Sequence, residues 1–177
     1  MLAFCDAETT GLIINSQLPL ATQPHITDFA VILTDDKGEV LDQWCSLINP
    51  GVPLSAEITR ITGLTDALLA SAPAFPDVLP QIARMMKRAD TLIAHNLDFD
   101  LSMLVFELRR VEWQYRFPYA QNWIDTVPLS GGLKLRDWAV KCGVPDFKAQ
   151  EHRALSDAKL LLSCWKTTLP KENMPHV

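Results

Sequence analysis

Acidic residues near the two ends and in the middle of this 177-residue chain have to meet if they are to act together, and that requirement constrains the fold more than any other feature. They lie in three segments: Phe4-Cys5-Asp6-Ala7-Glu8-Thr9-Thr10-Gly11, His95-Asn96-Leu97-Asp98-Phe99-Asp100 and His152-Arg153-Ala154-Leu155-Ser156-Asp157-Ala158. Carboxylates gathered from such distant positions repel one another unless hard divalent cations neutralise them. Oxygen-rich clusters of this kind hold Mg²⁺ or Mn²⁺ for phosphoryl chemistry.

The spacing within each segment says which side chains can share a site. Leu2 to Cys5 is an apolar run ending in Asp6, the form of a buried strand that delivers a carboxylate at its C-terminal end. On a strand, Asp6 and Glu8 project from the same face. Alone the pair would be unremarkable, but Gly11 allows close approach of a ligand to the backbone and Thr9 offers a hydroxyl. Successive helical residues point about 100° apart, so Asp98 and Asp100 face nearly opposite ways and cannot serve one centre. His152 and Asp157 would be about 140° apart on an unbroken helix. Their spacing suits a site only if His152 lies on the loop before a helix whose first turns carry Asp157.

Hydrophobic periodicity supplies the framework. Strands are expected at 2–5, 26–34, 40–48, 91–94 and 124–127, with Asp35-Asp36-Lys37-Gly38 turning the second into the third. One or two short helices broken at Gly63 are expected over 55–69, and further helices over 77–88, 98–111, 133–142 and 154–169. Asp77 is the expected cap of the first of these four, Gly143-Val144-Pro145 the stop of the third. A loop rich in aromatics spans 113–123. A three-strand antiparallel meander followed by alternating helix and strand predicts an α/β fold, a mixed five-stranded sheet with helices on its faces. The expected organisation is one domain over 1–169 and a loose tail at 170–177.

Bulk properties bound the function. No apolar run approaches the length of a membrane span, and only three residues precede the first motif, so a soluble, cytoplasmic protein without leader peptide is expected. The four cysteines (Cys5, Cys45, Cys142, Cys164) form no CxxC pair and read as buried free thiols. A net charge of −5 argues against a protein that coats long stretches of nucleic acid, though not against one that grips a strand end.

The three segments, in this order, resemble those of the DEDD exonuclease superfamily, histidine subclass, which includes the proofreading epsilon subunit of bacterial DNA polymerase III. The resemblance runs from Phe4 to about Trp165. It implies a ribonuclease-H-like fold and a 3′→5′ exonuclease that releases nucleoside 5′-monophosphates with two Mg²⁺ or Mn²⁺ ions. By the same resemblance Asp6 bridges both cations, Glu8 and Asp157 complete the first site, Asp100 supports the second, and His152 is the general base. Thr9, Thr10, Gly11, Leu12, Thr62 and Phe99 then fall where relatives hold the terminal nucleotide, and Asp125 becomes a supporting acid behind the metals. Asp28, Asp66 and Asp137 read as capping or solvated acids.

Two features depart from the common pattern. Thr62, in Ile61-Thr62-Gly63, replaces a histidine that contacts the nucleotide in many relatives, although members resembling the mammalian three-prime repair exonucleases share Ile-Thr-Gly. Leu12 to Pro24 is longer and more apolar than a bare turn, and either packs on the sheet or forms a flap beside the strand end. Single-stranded DNA is the favoured substrate, with RNA as the alternative, and a catalytically silent nucleic-acid-binding module as the reading from another class. Gln17-Leu18-Pro19-Leu20 resembles the short motifs that dock on sliding clamps, which with the epsilon resemblance admits a clamp or DNA polymerase as partner.

Overall fold

The computed structural model describes residues 1–144 and 153–169. His152 and the tail at 170–177 lie outside the described residues. The strands β1 (Leu2–Thr9), β2 (Ile26–Thr34), β3 (Val40–Leu47), β4 (Thr91–Ala94) and β5 (Asn122–Asp125) form one sheet in the order β3-β2-β1-β4-β5. The β1/β2 and β2/β3 pairs are antiparallel, β1/β4 and β4/β5 parallel. The helices are α1 (Ala56–Thr62), α2 (Asp66–Ala70), α3 (Phe75–Lys87), α4 (Leu97–Arg110), α5 (Val127–Ser130), α6 (Leu135–Lys141) and α7 (Ala154–Thr168). This is the mixed five-stranded α/β architecture that the periodicity predicts.

Each face of the sheet carries its own apolar layer, because side chains alternate along a strand. Ala3, Cys5, Phe29, Val31 and Leu33 pack with α3 and α4 on one face. Phe4, Ala30, Ile32 and Ile93 pack with α6 and α7 on the other. The same alternation carries Asp6 and Glu8 to the Phe4 side, the side of α7. Ala154 and Ala158 are fully buried there, small enough to bring the start of α7 close to β1 and β2.

Several boundaries and one burial differ from the sequence expectation. Helix α3 begins at Phe75, not Asp77; Pro76 fits its first turn, where no amide donor is needed, and Asp77 Oδ2 accepts the Ala74 amide at 3.1 Å from inside the helix. Strand β5 ends at Asp125, two residues earlier than expected, because Asp125 Oδ1 accepts the Val127 amide at 2.9 Å and turns the chain into α5. Cys45, read as buried, is exposed on the edge strand β3, while Cys5 and Cys164 are buried and Cys142 partly so. Among the described residues no helix is long and apolar enough to cross a membrane.

Candidate active site

One end of the sheet collects the acids. Strand β1 ends there, β2 begins there, and the first turns of α4 and α7 arrive from opposite faces. Asp6, Glu8 and Asp157 each offer a carboxylate oxygen, and the three oxygens lie within 4.8 Å of one another. Asp157 is the fourth residue of α7, and its amide donates to Arg153 O at 3.0 Å.

Asp100 and Asp98 divide as helical geometry requires. Asp100 is buried, with the Ala7 backbone of β1 among the influences that lower its proton affinity, whereas Asp98 is exposed. The turn before α4 is sharp: Asn96 takes a left-handed φ of 75°, a conformation asparagine tolerates better than most residues. Asp125 Oδ1 pins that turn by accepting the Asn96 amide at 3.0 Å. Asp125 therefore stands behind Asp100 as a support of the backbone. His95 is likewise structural. Its Nε2 lies 2.8 Å from Leu133 O, its Nδ1 lies 2.9 Å from Thr126 Oγ1, and its ring stacks on Trp138.

Gathering these acids has an electrostatic cost that shows in their proton affinities. Burial pushes Glu8 up to about 7, Asp157 and Asp28 add to the rise, and Arg136 and Arg153 oppose it. Asp6 is raised well above the usual carboxylate range by burial and then by Asp100 and Asp157; Asp100 is raised by burial, against the pull of its backbone donors. An all-oxygen donor set under this much mutual repulsion fits a hard divalent cation of the Mg²⁺ or Mn²⁺ type.

Two cationic side chains border the cluster, and sequence reading assigned neither. Arg136 Nη2 stands 3.8 Å from Asp157 Oδ1. Arg153 Nε donates to Asp28 Oδ2 at 2.7 Å, and the Ala154 amide reaches the same oxygen at 3.3 Å. Asp28 is thus a buried tie between β2 and the start of α7, and not a solvated acid. Its position opposite Glu8 in the β1/β2 register is the signal that could have revealed it. Asp66, by contrast, is an exposed first-turn acid of α2, whose cap is Thr65, and its Oδ1 accepts the Leu54 amide at 2.8 Å.

Beside the acids lies a cavity of about 530 Å³, walled by Glu8, Thr9, Leu12, Ile61, Thr62 and Phe99 among others. Thr10 and Gly11 also line it. The Thr9 hydroxyl donates to Gly11 O at 2.7 Å, and Thr10 Oγ1 accepts the His25 amide at 2.9 Å. A Cβ on Gly11 would meet no protein atom within 4 Å, so packing within the protein does not require glycine there. The Thr62 hydroxyl donates to Ile58 O at 2.9 Å, so its hydrogen is spent within α1.

Comparison with known proteins agrees with this fold. A family model described as Exonuclease, of the RNase T kind, matches residues 3–164. The DNA polymerase III PolC-type of Thermotoga petrophila is 30% identical over 164 residues, 88% of this chain and 11% of that protein. DNA polymerase III subunit epsilon of Treponema pallidum is 26% identical over 173 residues, 93% of this chain and 74% of that protein. Among solved structures, the nuclease domain of 3′hExo, a DEDDh family member bound to rAMP, has a TM-score of 0.75 at 22% identity, covering 93% of this chain and 89% of that one. Exonuclease X in complex with 5′ overhanging duplex DNA gives 0.66 at 23% identity, covering 94% and 89%. The chain spans about a tenth of the length of the PolC-type relatives.

A ribonuclease-H-like sheet with acids from β1, α4 and α7 at one end defines the nuclease class. Within that class, the chain belongs to the exonuclease family whose model matches residues 3–164.

Proposed function

We propose that this domain removes nucleotides one at a time from the 3′ end of a single strand by hydrolysis. The observation that carries this reading is the meeting of Asp6, Glu8 and Asp157 within 4.8 Å beside a cavity of nucleotide size. The cavity takes the terminal nucleotide between the 7–14 segment and α1, with Phe99 in its lining. Water attacks the phosphorus, the P–O3′ bond breaks, and the product leaves as a nucleoside 5′-monophosphate while the shortened strand keeps a 3′-hydroxyl.

Asp6, Glu8 and Asp157 would hold divalent cations, with Asp100 completing the set from α4. When bound, the cations would supply positive charge to the reacting phosphate and make the attacking water more acidic, so that it loses a proton near neutral pH. The chain's own part is to place four carboxylates, keep the scissile phosphate beside them, and move a proton. His152, one residue before Arg153, is assigned the last task, since an imidazole titrates near neutrality and suits general-base work.

Relatives named as DNA polymerase III subunits favour single-stranded DNA as substrate and a polymerase as partner. Neighbours solved with rAMP or on histone mRNA favour RNA as the second reading. The test is a pair of matched 5′-labelled DNA and RNA oligonucleotides in Mg²⁺. A ladder of shortening products is expected, faster on DNA and abolished by EDTA. Internal cuts, or undiminished hydrolysis in EDTA, would sink the proposal.

A further inference from the structure

One wall of the cavity has little regular structure of its own. Between β1 and β2 the chain runs from Thr10 to His25 with a single 3₁₀ turn at Leu20–Thr22. Of the two expectations for this segment, packing is what the described residues show, in part. Ile13 and Leu20 pack against the core, while Leu12 and Ile14 stand 80% and 91% exposed at the cavity rim.

What holds the segment is a polar hub on the last turns of α4. Glu107 is buried, and its Oε1 accepts the Ile26 amide at 3.1 Å and Arg110 Nη1 at 2.9 Å, with His25 Nδ1 at 3.4 Å. Arg110 Nη2 donates to Gln23 O at 2.7 Å and to Leu20 O at 3.2 Å. Gln23, also buried, sends Nε2 to Asn15 O and Leu18 O at 2.9 and 3.1 Å. At the root, the Thr10 amide donates to His25 O at 2.9 Å and the His25 amide returns to Thr10 Oγ1. Contacts therefore run without a break from Arg110 to Thr10, a residue of the cavity wall.

Stability alone gives little reason for an ion pair here, because well-packed apolar side chains do as well as a buried pair. A guanidinium, however, can hold a carboxylate and two carbonyls at once in fixed directions. A segment ordered in advance also loses less conformational freedom when a ligand arrives.

We propose that Arg110, seated on Glu107, is a positioning residue of the substrate cavity: it holds residues 10–25 so that the rim stands ordered before the strand end enters. This rests on the exonuclease reading above. It predicts that loosening the hub weakens the hold on the strand while the reaction at the carboxylates proceeds.

The test uses the full chain and its Arg110→Gln, Arg110→Lys and Glu107→Gln variants on 5′-labelled oligothymidylate and oligouridylate in Mg²⁺. For Arg110→Gln, KM should rise about tenfold with kcat changed less than about threefold, since uniform binding is lost and transition-state contacts are kept. Amide hydrogen exchange should quicken across residues 10–25 by about tenfold or more and stay unchanged in α7. Arg110→Lys should fall between, because one ammonium cannot span all three acceptors. A fall in kcat at constant KM, or wild-type exchange in residues 10–25, overturns the proposal. If Arg110→Gln shows no cooperative melting, the lysine and Glu107→Gln variants carry the same comparison. If the wild-type protein shortens neither strand, the exonuclease reading fails by itself. The hub is then judged by exchange and by anisotropy of fluorescein-labelled oligothymidylate in Ca²⁺, where equal affinity in wild type and variant overturns it and a loss of about tenfold upholds it.

Discussion

At the residue scale, the acids differ in what their surroundings make of them. Asp98 and Asp100 sit two positions apart, and only Asp100 is buried. If Asp100 helps hold the cations, Asp100→Asn should nearly silence hydrolysis and Asp98→Asn should leave it close to wild type, read as single-turnover rates on the same oligonucleotide. The reverse result would mean the motif is misplaced on its helix. Glu8 makes a separate prediction about pH. Its proton affinity in the folded, metal-free protein is raised from 4.5 to about 7, so between these values the folded state binds more protons than the unfolded one and stability falls as pH rises. The loss from Glu8 alone is at most about 3.5 kcal/mol, since each unit is worth about 1.4 kcal/mol. Asp6 and Asp100 shift in the same direction. Melting temperatures in EDTA should therefore decline from about pH 4.5 to 7, and a flat or rising profile would contradict this electrostatic account. These candidates were legible because strand and helix periods sort Asp6 with Glu8 and separate Asp98 from Asp100, and the family resemblance picks Asp100 of the latter two. Asp28 was not, because its partner Arg153 lies 125 residues away and only the β1/β2 register sets it opposite Glu8.

At the scale of elements, the start of α7 is where strand, helix and site are joined. Asp28 on β2 receives both the Arg153 guanidinium and the Ala154 amide, so it fixes the first turn of the helix that carries Asp157. Burial raises the proton affinity of Asp28, and Arg153 is the largest opposing influence. Arg153→Ala leaves a buried carboxylate with one donor fewer, and because the arginine itself is partly exposed the expected cost is about 1–3 kcal/mol, not the larger value of a fully buried pair. Urea unfolding of the two single variants and of Asp28→Asn/Arg153→Ala should show the double variant less destabilised than the sum. Strict additivity would mean the pair does not act as a unit. The helical spacing of Val78, Leu79, Ile82, Met85 and Met86 made α3 readable, but its start was not. The aspartate that resembles a cap works from inside the first turn, and spacing cannot distinguish the two positions. The short β5 was misplaced for a similar reason, since Asp125 is at once the last residue of a strand and the acceptor that turns the next one.

For the whole molecule, the fold spends stability at one end of its sheet, and a bound cation should return it. Two apolar layers and a five-stranded sheet hold the backbone of β1, α4 and α7 in place whether or not their acids are neutralised. Removing one acid should therefore relieve repulsion without undoing the fold. In EDTA, Asp6→Ala is expected to melt at or above the wild-type temperature, although most buried substitutions destabilise. Mg²⁺ or Mn²⁺ should then separate the two proteins. A ligand at about a hundred times its dissociation constant stabilises by about 2.7 kcal/mol, and in a chain of this length each kcal/mol moves the midpoint by about 2–4 °C. The wild-type midpoint should rise by about 5–11 °C and that of Asp6→Ala should barely move, which calorimetry with and without the cation would read directly. An equal rise in both proteins would place the cation elsewhere on the surface and leave the repulsion among Asp6, Glu8, Asp100 and Asp157 without a function.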